Sequence, residues 1–367
     1  MKLFRCQTCA NVVYFENRTC GRCGHTLGYL PELQTLSALE PEGEPNWKPV
    51  VGQGGPRRFC ANVKQDACNW LTPPGSDDAF CLACRHNDTI PDLSAPGNLQ
   101  AWRDIELDKH RLFYSLLRWE LPLKTRAEDP EHGLVFRFLA DPHAEGPKAM
   151  TGHDNGVITL ALAEADPAER ERRRSEMAEP YRTLLGHFRH EVGHYYWDLL
   201  VRDGGRLEAF RQAFGDERAD YAEALRVHYQ SGPPADWAEH CISAYASSHP
   251  WEDFAETWAH YLHIVDTLDT ARAFGLRIRP ETEDSKLRAS IDFDPYAETA
   301  AEMLIEAWLP LTFAVNSLNR SMGQPDLYPF VLPPPVIAKL RCIALLVHGR
   351  GAASSHPSAP EPATAAR

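Results

Sequence analysis

The sequence predicts an α+β protein, in which a small cysteine-rich domain precedes a larger, mostly helical domain that contains a small sheet. Eight of the ten cysteines lie before residue 85, whereas the long segments with helical periodicity follow residue 98. We therefore expect one domain over residues 1–98 and a second over residues 99–348. Residues 349–367, rich in Ala, Ser and Pro, predict a disordered tail.

Composition and charge restrict the class of protein. Hydrophobic residues make up 43% of the chain and charged residues 24%, which is typical of a globular protein. The net charge of -13 argues against an extended surface for nucleic acid or anionic membrane. We find neither a signal peptide nor an apolar run long enough to span a bilayer. We therefore expect a cytoplasmic protein whose reduced thiols bind metal and do not form disulfides.

The first cysteine cluster consists of two Cys-x-x-Cys pairs, separated by ten residues that include a short predicted strand over residues 12–15. Its members are Cys6, Cys9, Cys20 and Cys23. Four thiolates at this spacing predict a closed, tetrahedral, structural zinc site. His25 is a weaker alternative for the fourth ligand.

The second cysteine cluster has looser spacing. It consists of Cys60, Cys68, Cys81 and Cys84, of which only the last two form a Cys-x-x-Cys pair. We predict a second structural zinc here, with His86 as the weaker alternative to one thiolate. Residues 41–55, between the two clusters, are rich in Pro, Gly and Glu and predict a loop. A segment with so little continuous apolar core needs such metal staples to fold.

The charge of the cysteine-rich region indicates what it contacts. Residues 1–98 carry nine Lys and Arg against ten Asp and Glu, so the region has no basic surface for nucleic acid. We expect it instead to contact a protein partner or to present the substrate.

Secondary structure after residue 98 follows from periodicity. Helical spacing of apolar residues predicts a helix over residues 99–121, and β-branched and aromatic runs predict strands over residues 134–139 and 156–162. Mixed charges at helical spacing predict a solvated helix over residues 164–179. Further helices are expected from the segment 215–221, from Pro250, over residues 296–319 and over residues 334–347.

The segment from Gly186 to Asp198 contains His-Glu-x-x-His. On a helix, His190 and His194 lie one turn apart and project from one face. Apolar residues at helical spacing support this helix, and Pro180 fits its first turn. Two neutral imidazoles so placed can bind Zn²⁺, while the carboxylate of Glu191 reaches a water molecule at the metal. The alternative is a buried helix with two incidental histidines.

A catalytic zinc needs a third protein ligand. Trp197 and Leu200 stand where a metzincin would have Gly and His, so that class is excluded and a carboxylate must serve.

Two helix starts offer that carboxylate. Glu217 has Asp220 one turn further on, and Glu252 has Glu256. We favour Glu252, because its aromatic neighbours predict a helix docked on the core. Tyr245, on the preceding loop, could donate a hydrogen bond to the oxyanion of a tetrahedral intermediate.

Side chains around the imidazoles should hold their rings in place. Asp198 lies one turn after His194 and His187 lies near His190, so both share the ligand face of the helix. Glu256 is the third candidate for this supporting role.

These residues resemble those of a known family. His190 to His194, Tyr245 and the segment Glu252 to Glu256 look like the gluzincin-type site of the anthrax-lethal-factor-like metallopeptidases. The chain to about residue 345 resembles bacterial zinc-binding metallopeptidases with an amino-terminal zinc ribbon. The resemblance implies a zincin-like metallopeptidase domain but no particular substrate. We predict a zinc metalloendopeptidase that acts on peptides or proteins. It also implies Glu252 as third ligand, Glu191 as general base and Tyr245 as oxyanion partner.

Two further hypotheses concern function. In peptidases with this motif the strand ahead of the metal helix is commonly a sheet edge that captures an extended peptide, and we predict this role for residues 156–162. An ordinary core strand is the alternative. The rival function is a protein-binding or regulatory module, in which the zinc ribbons dock a partner and the peptidase-like domain is inactive. The presence of Glu191 favours the enzyme, because zinc binding alone needs only the ligands.

Overall fold

The computed structural model describes residues 2–52, 55–140, 149, 151–176, 179–281 and 284–349. The predicted tail therefore lies outside the described residues, apart from Gly349. None of the described helices combines the length and the apolar character needed to cross a membrane. The predicted α+β class is confirmed: a cysteine-rich region with small sheets precedes a mostly helical domain.

Short antiparallel strands form the cysteine-rich region. They are β1 (Phe4–Arg5), β2 (Val12–Val13), β3 (Leu27–Leu30), β4 (Thr35–Pro41), β5 (Asn46–Pro49) and β6 (Arg57–Arg58). β1 pairs with β2, and the other four form one sheet in chain order. The predicted loop over residues 41–55 is wrong at residues 46–49, because β5 pairs with both β4 and β6. Trp47 of β5 also packs edge-on against Phe59, which the Pro and Gly content did not indicate.

After the cysteine-rich region, strands and helices first alternate along the chain, and helices then predominate. They are β7 (Asn87–Thr89), α1 (Asn98–Arg118), β8 (Val135–Leu139), β9 (Gly152–Asp154), β10 (Val157–Ala161), α2 (Pro167–Glu176), α3 (Leu184–Trp197), α4 (Leu207–Phe214), α5 (Tyr221–Ser231), α6 (Trp237–His240), α7 (Pro250–Ala273), β11 (Arg277–Ile278), β12 (Ala289–Ser290), α8 (Ala301–Ser321) and α9 (Pro334–His348). Each helix and strand predicted after residue 98 has a counterpart among these elements.

The sheet of the helical domain has the order β7-β8-β10-β9. β10 pairs in parallel with β8 and antiparallel with β9. The predicted edge strand, residues 156–162, is therefore an interior strand. Among the described residues, the edge on that side is β9.

Helix α1 links the two parts of the chain. On one side, the ring of His110 packs 5.0 Å from that of Trp70 in the cysteine-rich region. On the other side, Phe113 packs 6.0 Å from Phe136 of β8, which in turn packs 5.7 Å from Phe188 of α3. One continuous apolar core therefore runs from the cysteine clusters to the helix that carries His-Glu-x-x-His.

Candidate metal centre

Helix α3 begins later than the sequence suggested. Its N-cap is Thr183, whose Oγ accepts a hydrogen bond of 3.0 Å from the backbone N–H of Gly186. Pro180 therefore precedes the helix and does not lie in its first turn.

Close packing of α7 against α3 brings the candidate ligands together. A Cβ atom at Gly193 would lie 3.0 Å from Cα of Ala255 and 3.2 Å from Cβ of Trp258. Because glycine has no side chain, α7 can approach α3 at this distance. The first turn of α7 then places Glu252 beside the two histidines of α3.

Three ligand-type atoms form a compact triangle. Nε2 of His194 lies 3.2 Å from Nε2 of His190. Oε2 of Glu252 lies 3.0 Å from Nε2 of His190 and 3.5 Å from Nε2 of His194. A tetrahedral zinc ion with bonds of about 2.0–2.1 Å separates its ligand atoms by about 3.3–3.4 Å. The three side chains therefore fit a zinc ion.

The opposite side of the His190 ring is held by a carboxylate. Its Nδ1 lies 2.7 Å from Oε1 of Glu256, so Nε2 is the nitrogen available to a metal. Burial opposes ionisation of Glu256, but the hydrogen bond and charge of His190 lower its pKa to about 2. Ser243 donates to Oε2 of Glu256 at 2.6 Å and accepts from the backbone N–H of Ala246 at 3.0 Å. No motif in the sequence marked Ser243.

The structure corrects the predicted supporting roles of Asp198 and His187. The Asp198 carboxylate pairs with Arg202 at 2.6 Å, within the π-helical turn that follows α3. Nδ1 of His187 lies 3.2 Å from the buried Glu164. Both residues lie on α3 or directly after it, but the charged groups that their side chains meet are Arg202 and Glu164. Within the described part of the chain, Nδ1 of His194 has no hydrogen-bond partner.

Glu191 is 8% exposed and is not one of the three converging ligands. Burial raises the pKa of its carboxyl, although the neighbouring imidazoles of His190 and His194 oppose this. A carboxylate of raised pKa beside a metal site is suited to accept and return a proton.

Two phenols border the triangle. The ring of Tyr245 lies 5.9 Å from that of His190. Burial and the charge of Glu252 raise the pKa of Tyr245, so its hydroxyl keeps the proton needed for donation. Tyr221, on α5, donates a hydrogen bond of 2.6 Å to Oε1 of Glu252. Sequence reasoning missed Tyr221, because nothing in its spacing relates it to Glu252.

The alternative third ligand lies elsewhere. Glu217 pairs with Arg211, whose Nε donates to it at 2.9 Å. Asp220 caps α5 by accepting from the backbone N–H of Glu223 at 3.0 Å. The structure thus brings Glu252, and not Glu217, to the two histidines.

A cavity of about 380 Å³ opens next to this centre. It borders Tyr221, which is bonded to Glu252, and Trp251, whose ring lies 3.9 Å from that of His194. Further lining residues are His153, Asp154, Asn155, Trp197, Asp198, Arg202, Glu217 and His249.

The structure brings together the four sulfur atoms of each cysteine cluster. The sulfur atoms are 3.6 Å apart in the pairs Cys6–Cys23 and Cys9–Cys20, and 3.7 Å apart in the pair Cys68–Cys81. Tetrahedral zinc with Zn–S bonds of about 2.3 Å separates sulfurs by about 3.8 Å, whereas a disulfide needs about 2.05 Å. All ten cysteines are free, and each cluster fits a zinc ion.

The histidines considered as alternative cysteine-site ligands are not part of these groups. Neither His25 nor His86 belongs to a metal-binding group among the described residues. Nδ1 of His86 bonds the carbonyl oxygen of Leu134 at 2.8 Å. His110 of α1, which the sequence did not indicate, instead places Nε2 3.2 Å from the sulfur of Cys68.

Comparison with known proteins agrees with this arrangement. A family model described as "Putative zinc-binding metallo-peptidase" matches residues 98–346, and a model of a zinc-ribbon domain matches residues 3–95. Relatives include uncharacterized proteins of Mycobacterium tuberculosis (strains H37Rv and CDC 1551) and Mycobacterium bovis. Each is 42% identical over 348 residues, which cover 95% of this chain and 95% of the relative. No solved structure matches the chain.

The metallopeptidase match spans more than half of the chain, and the relatives align over nearly its whole length. The chain therefore belongs to the zinc-binding metallopeptidase family and carries an amino-terminal zinc-ribbon domain.

Proposed function

We propose that the protein is a zinc metalloendopeptidase that hydrolyses peptide bonds at the triangle of His190, His194 and Glu252. The observation that carries this proposal is the combination of two imidazole nitrogens and one carboxylate oxygen, 3.0 to 3.5 Å apart, with a separate buried carboxylate, Glu191. Metal binding alone would require only the three ligands. The fourth group, which lies outside the ligand set, supports chemistry.

Each side chain around the triangle has a distinct task in this proposal. Bound at the triangle, zinc acts as a Lewis acid towards water and towards the substrate carbonyl. Glu191 accepts a proton from the attacking water and returns it to the leaving amine. The Tyr245 hydroxyl donates to the oxyanion that develops on the substrate. Glu256 holds His190 through Nδ1, and Tyr221 fixes the second oxygen of Glu252.

The cysteine clusters have a different task. We propose one structural zinc at Cys6, Cys9, Cys20 and Cys23 and another at Cys60, Cys68, Cys81 and Cys84. Because all ten cysteines are free, we also propose that the protein works in a reducing compartment, the cytoplasm. The zinc-ribbon region would contact a protein partner or the protein substrate, since its charge is balanced.

The decisive experiment replaces the proposed base and leaves the ligands intact. Glu191→Gln should retain zinc at all three sites but cleave an unfolded protein substrate about 10²–10⁴-fold more slowly than wild type. Glu208→Gln, on the exposed surface of α4, is the matched control and should behave as wild type. Mass spectrometry of the fragments distinguishes internal cleavage from removal of terminal residues. If wild type and Glu191→Gln are equally inactive across peptide libraries, the protein-binding module replaces the enzyme.

A further inference from the structure

The second cysteine cluster has a fifth donor. His110 is 3% exposed, and its Nε2 lies 3.2 Å from the sulfur of Cys68, 3.6 Å from that of Cys84 and 4.0 Å from that of Cys81. The cysteines belong to the part of the chain that matches a zinc ribbon, whereas α1 belongs to the part that matches the metallopeptidase family. The imidazole thus reaches the cluster from the other domain.

The hydrogen bond of the His110 ring defines which nitrogen is free. Nδ1 lies 2.5 Å from the backbone carbonyl oxygen of Glu106, which can only accept, so Nδ1 carries a proton. In the neutral ring Nε2 then presents its lone pair to the sulfurs. Metal-binding histidines characteristically donate the other ring nitrogen to a carbonyl or carboxylate in this way. His190 shows the same arrangement with Glu256.

Distances support a ligand position for this nitrogen. Tetrahedral zinc with Zn–S bonds of about 2.3 Å and Zn–N bonds of about 2.0–2.1 Å separates sulfur from nitrogen by about 3.5–3.6 Å. The three distances from His110 fall on both sides of this value. Cys68, Cys81, Cys84 and His110 therefore form a donor set comparable to the four thiols.

Glu106 is the other nonsulfur donor nearby, but its carboxylate has other partners. Oε2 of Glu106 lies 3.5 Å from the sulfur of Cys84. Oε1 accepts from the buried Lys109 at 2.9 Å and from Asn87 at 2.7 Å. The carboxylate thus meets the cluster at Cys84, whereas Nε2 of His110 lies within 4.0 Å of the sulfurs of Cys68, Cys81 and Cys84.

We propose that His110 is an alternative zinc ligand of the second cysteine cluster, supplied by the helical domain. The site then binds Zn²⁺ through Cys68, Cys81 and Cys84 together with either Cys60 or His110. This inference rests on the structural zinc proposed above for the second cluster. Its consequence is that one metal ion joins the zinc ribbon to α1, which packs through Phe113 and the sheet towards α3.

The test compares matched losses of one thiolate in the two clusters of the full-length protein. Cys60→Ser should retain its zinc, because His110 completes the site, whereas Cys6→Ser should lose one zinc ion. The double variant Cys60→Ser/His110→Ala should also lose one. Zinc per chain is measured by mass spectrometry after dialysis. Substitution of Co²⁺ adds a spectrum that distinguishes four sulfur ligands from three sulfurs and one nitrogen.

Defined outcomes overturn the proposal. It fails if Cys60→Ser loses zinc as Cys6→Ser does, or if the double variant keeps as much zinc as Cys60→Ser. Should the serine variants not fold, His110→Ala with all cysteines intact replaces them. This variant should release one zinc to a chelator faster than wild type, because no further donor then holds the ion while a thiolate dissociates, and an unchanged rate contradicts the proposal. A wild-type chain without zinc at the second cluster would overturn the structural-zinc proposal as well.

Discussion

The cysteine clusters and the histidine centre are assembled in opposite ways. In the first cluster, four sulfurs come from two turns within a single segment of 18 residues, Cys6 to Cys23. At the histidine centre, two helices supply two imidazoles and one carboxylate, and Glu252 follows His194 by 58 positions. A tetrahedral metal in the first arrangement would have all four positions filled by protein atoms. One in the second arrangement would keep a position for water or substrate.

This difference shows which kind of site is suited to stabilising the fold and which is suited to catalysis. A site closed by four thiolates contributes to folding and offers nothing to a substrate. An open site needs other groups to orient its ligands, and here these are Glu256, Ser243 and Tyr221. Four predictions test this contrast, beginning with the largest effect.

Removing the third ligand should abolish zinc binding at the histidine centre and leave zinc binding at the cysteine clusters unchanged. Glu252→Ala should lose the histidine-bound zinc and reduce peptide cleavage by about 10³-fold or more, because the metal supplies several kcal/mol of transition-state stabilisation. The cysteine sites should keep their zinc. Metal analysis and cleavage rates check both statements. Glu217→Ala is the matched control, and loss of zinc in that variant would transfer the ligand role to Glu217.

Removing one hydroxyl should affect chemistry and leave every metal in place. Tyr245→Phe should lower kcat about 10²–10³-fold, the usual cost of one oxyanion donor, with little change in KM or zinc content. Steady-state kinetics with a peptide substrate measures this. Tyr14→Phe, an exposed tyrosine of the cysteine-rich region, should retain full activity. Equal kcat values for Tyr245→Phe and wild type would contradict the oxyanion role.

Removing the support of His190 should weaken the open site alone. Glu256→Ala should bind the histidine-site zinc about 10–100-fold more weakly, because Nδ1 of His190 loses its carboxylate partner. Competition with a chelator gives the affinity. Asp198→Ala is the control, since the Asp198 carboxylate pairs with Arg202 and Nδ1 of His194 has no hydrogen-bond partner among the described residues. A weaker site in Asp198→Ala would restore the role that the sequence suggested for it.

The smallest expected effect is the pH dependence of the stability of the metal-free protein. Burial disfavours a charged His190, but hydrogen bonds to Glu252 and Glu256 raise its pKa well above 6.5 in the absence of metal. This group therefore stabilises the fold fully below pH 6.5, and the contribution is lost as pH rises through the folded pKa. Glu256, with its pKa lowered to about 2, contributes above its ordinary value of 4.5 and loses this contribution as pH falls towards 2.

Both contributions are complete between about pH 4.5 and 6.5. The midpoint of thermal unfolding of the metal-free protein should therefore fall above this range, by about 2–4 °C for each kcal/mol lost in a domain of 150–250 residues. With zinc the trend should reverse, because the metal requires neutral imidazoles. His190→Asn should lack the alkaline fall. An identical fall in His190→Asn would show that other groups cause it.

Local spacing explains what the sequence could predict. The Cys-x-x-Cys pairs and the helical spacing of His190 and His194 fix geometry within a few residues, so both clusters and the metal helix were evident. Glu252 was found because its flanking aromatic residues indicated a docked helix. Ser243, Tyr221 and His110 were missed, because their contacts arise only when segments far apart in the chain pack together.

Two of the errors have the same physical origin. Asp198 and His187 have suitable helical positions, but spacing along a helix does not show that Arg202 and Glu164 lie closer. The composition of β10 would suit either an edge strand or an interior strand. Only its pairing with β9 shows that it is an interior strand.

The absence of a Cβ atom at Gly193 affects which metal ion the histidine centre prefers. An alanine methyl group there would meet α7 at 3.0 to 3.2 Å, so the neighbouring helix would have to yield by a few tenths of an ångström. Such a shift would enlarge the triangle that Glu252 closes, and the size of a coordination site helps to decide which divalent cation it prefers. Selectivity among transition metals could thus be tuned from a position that touches neither the ion nor a substrate.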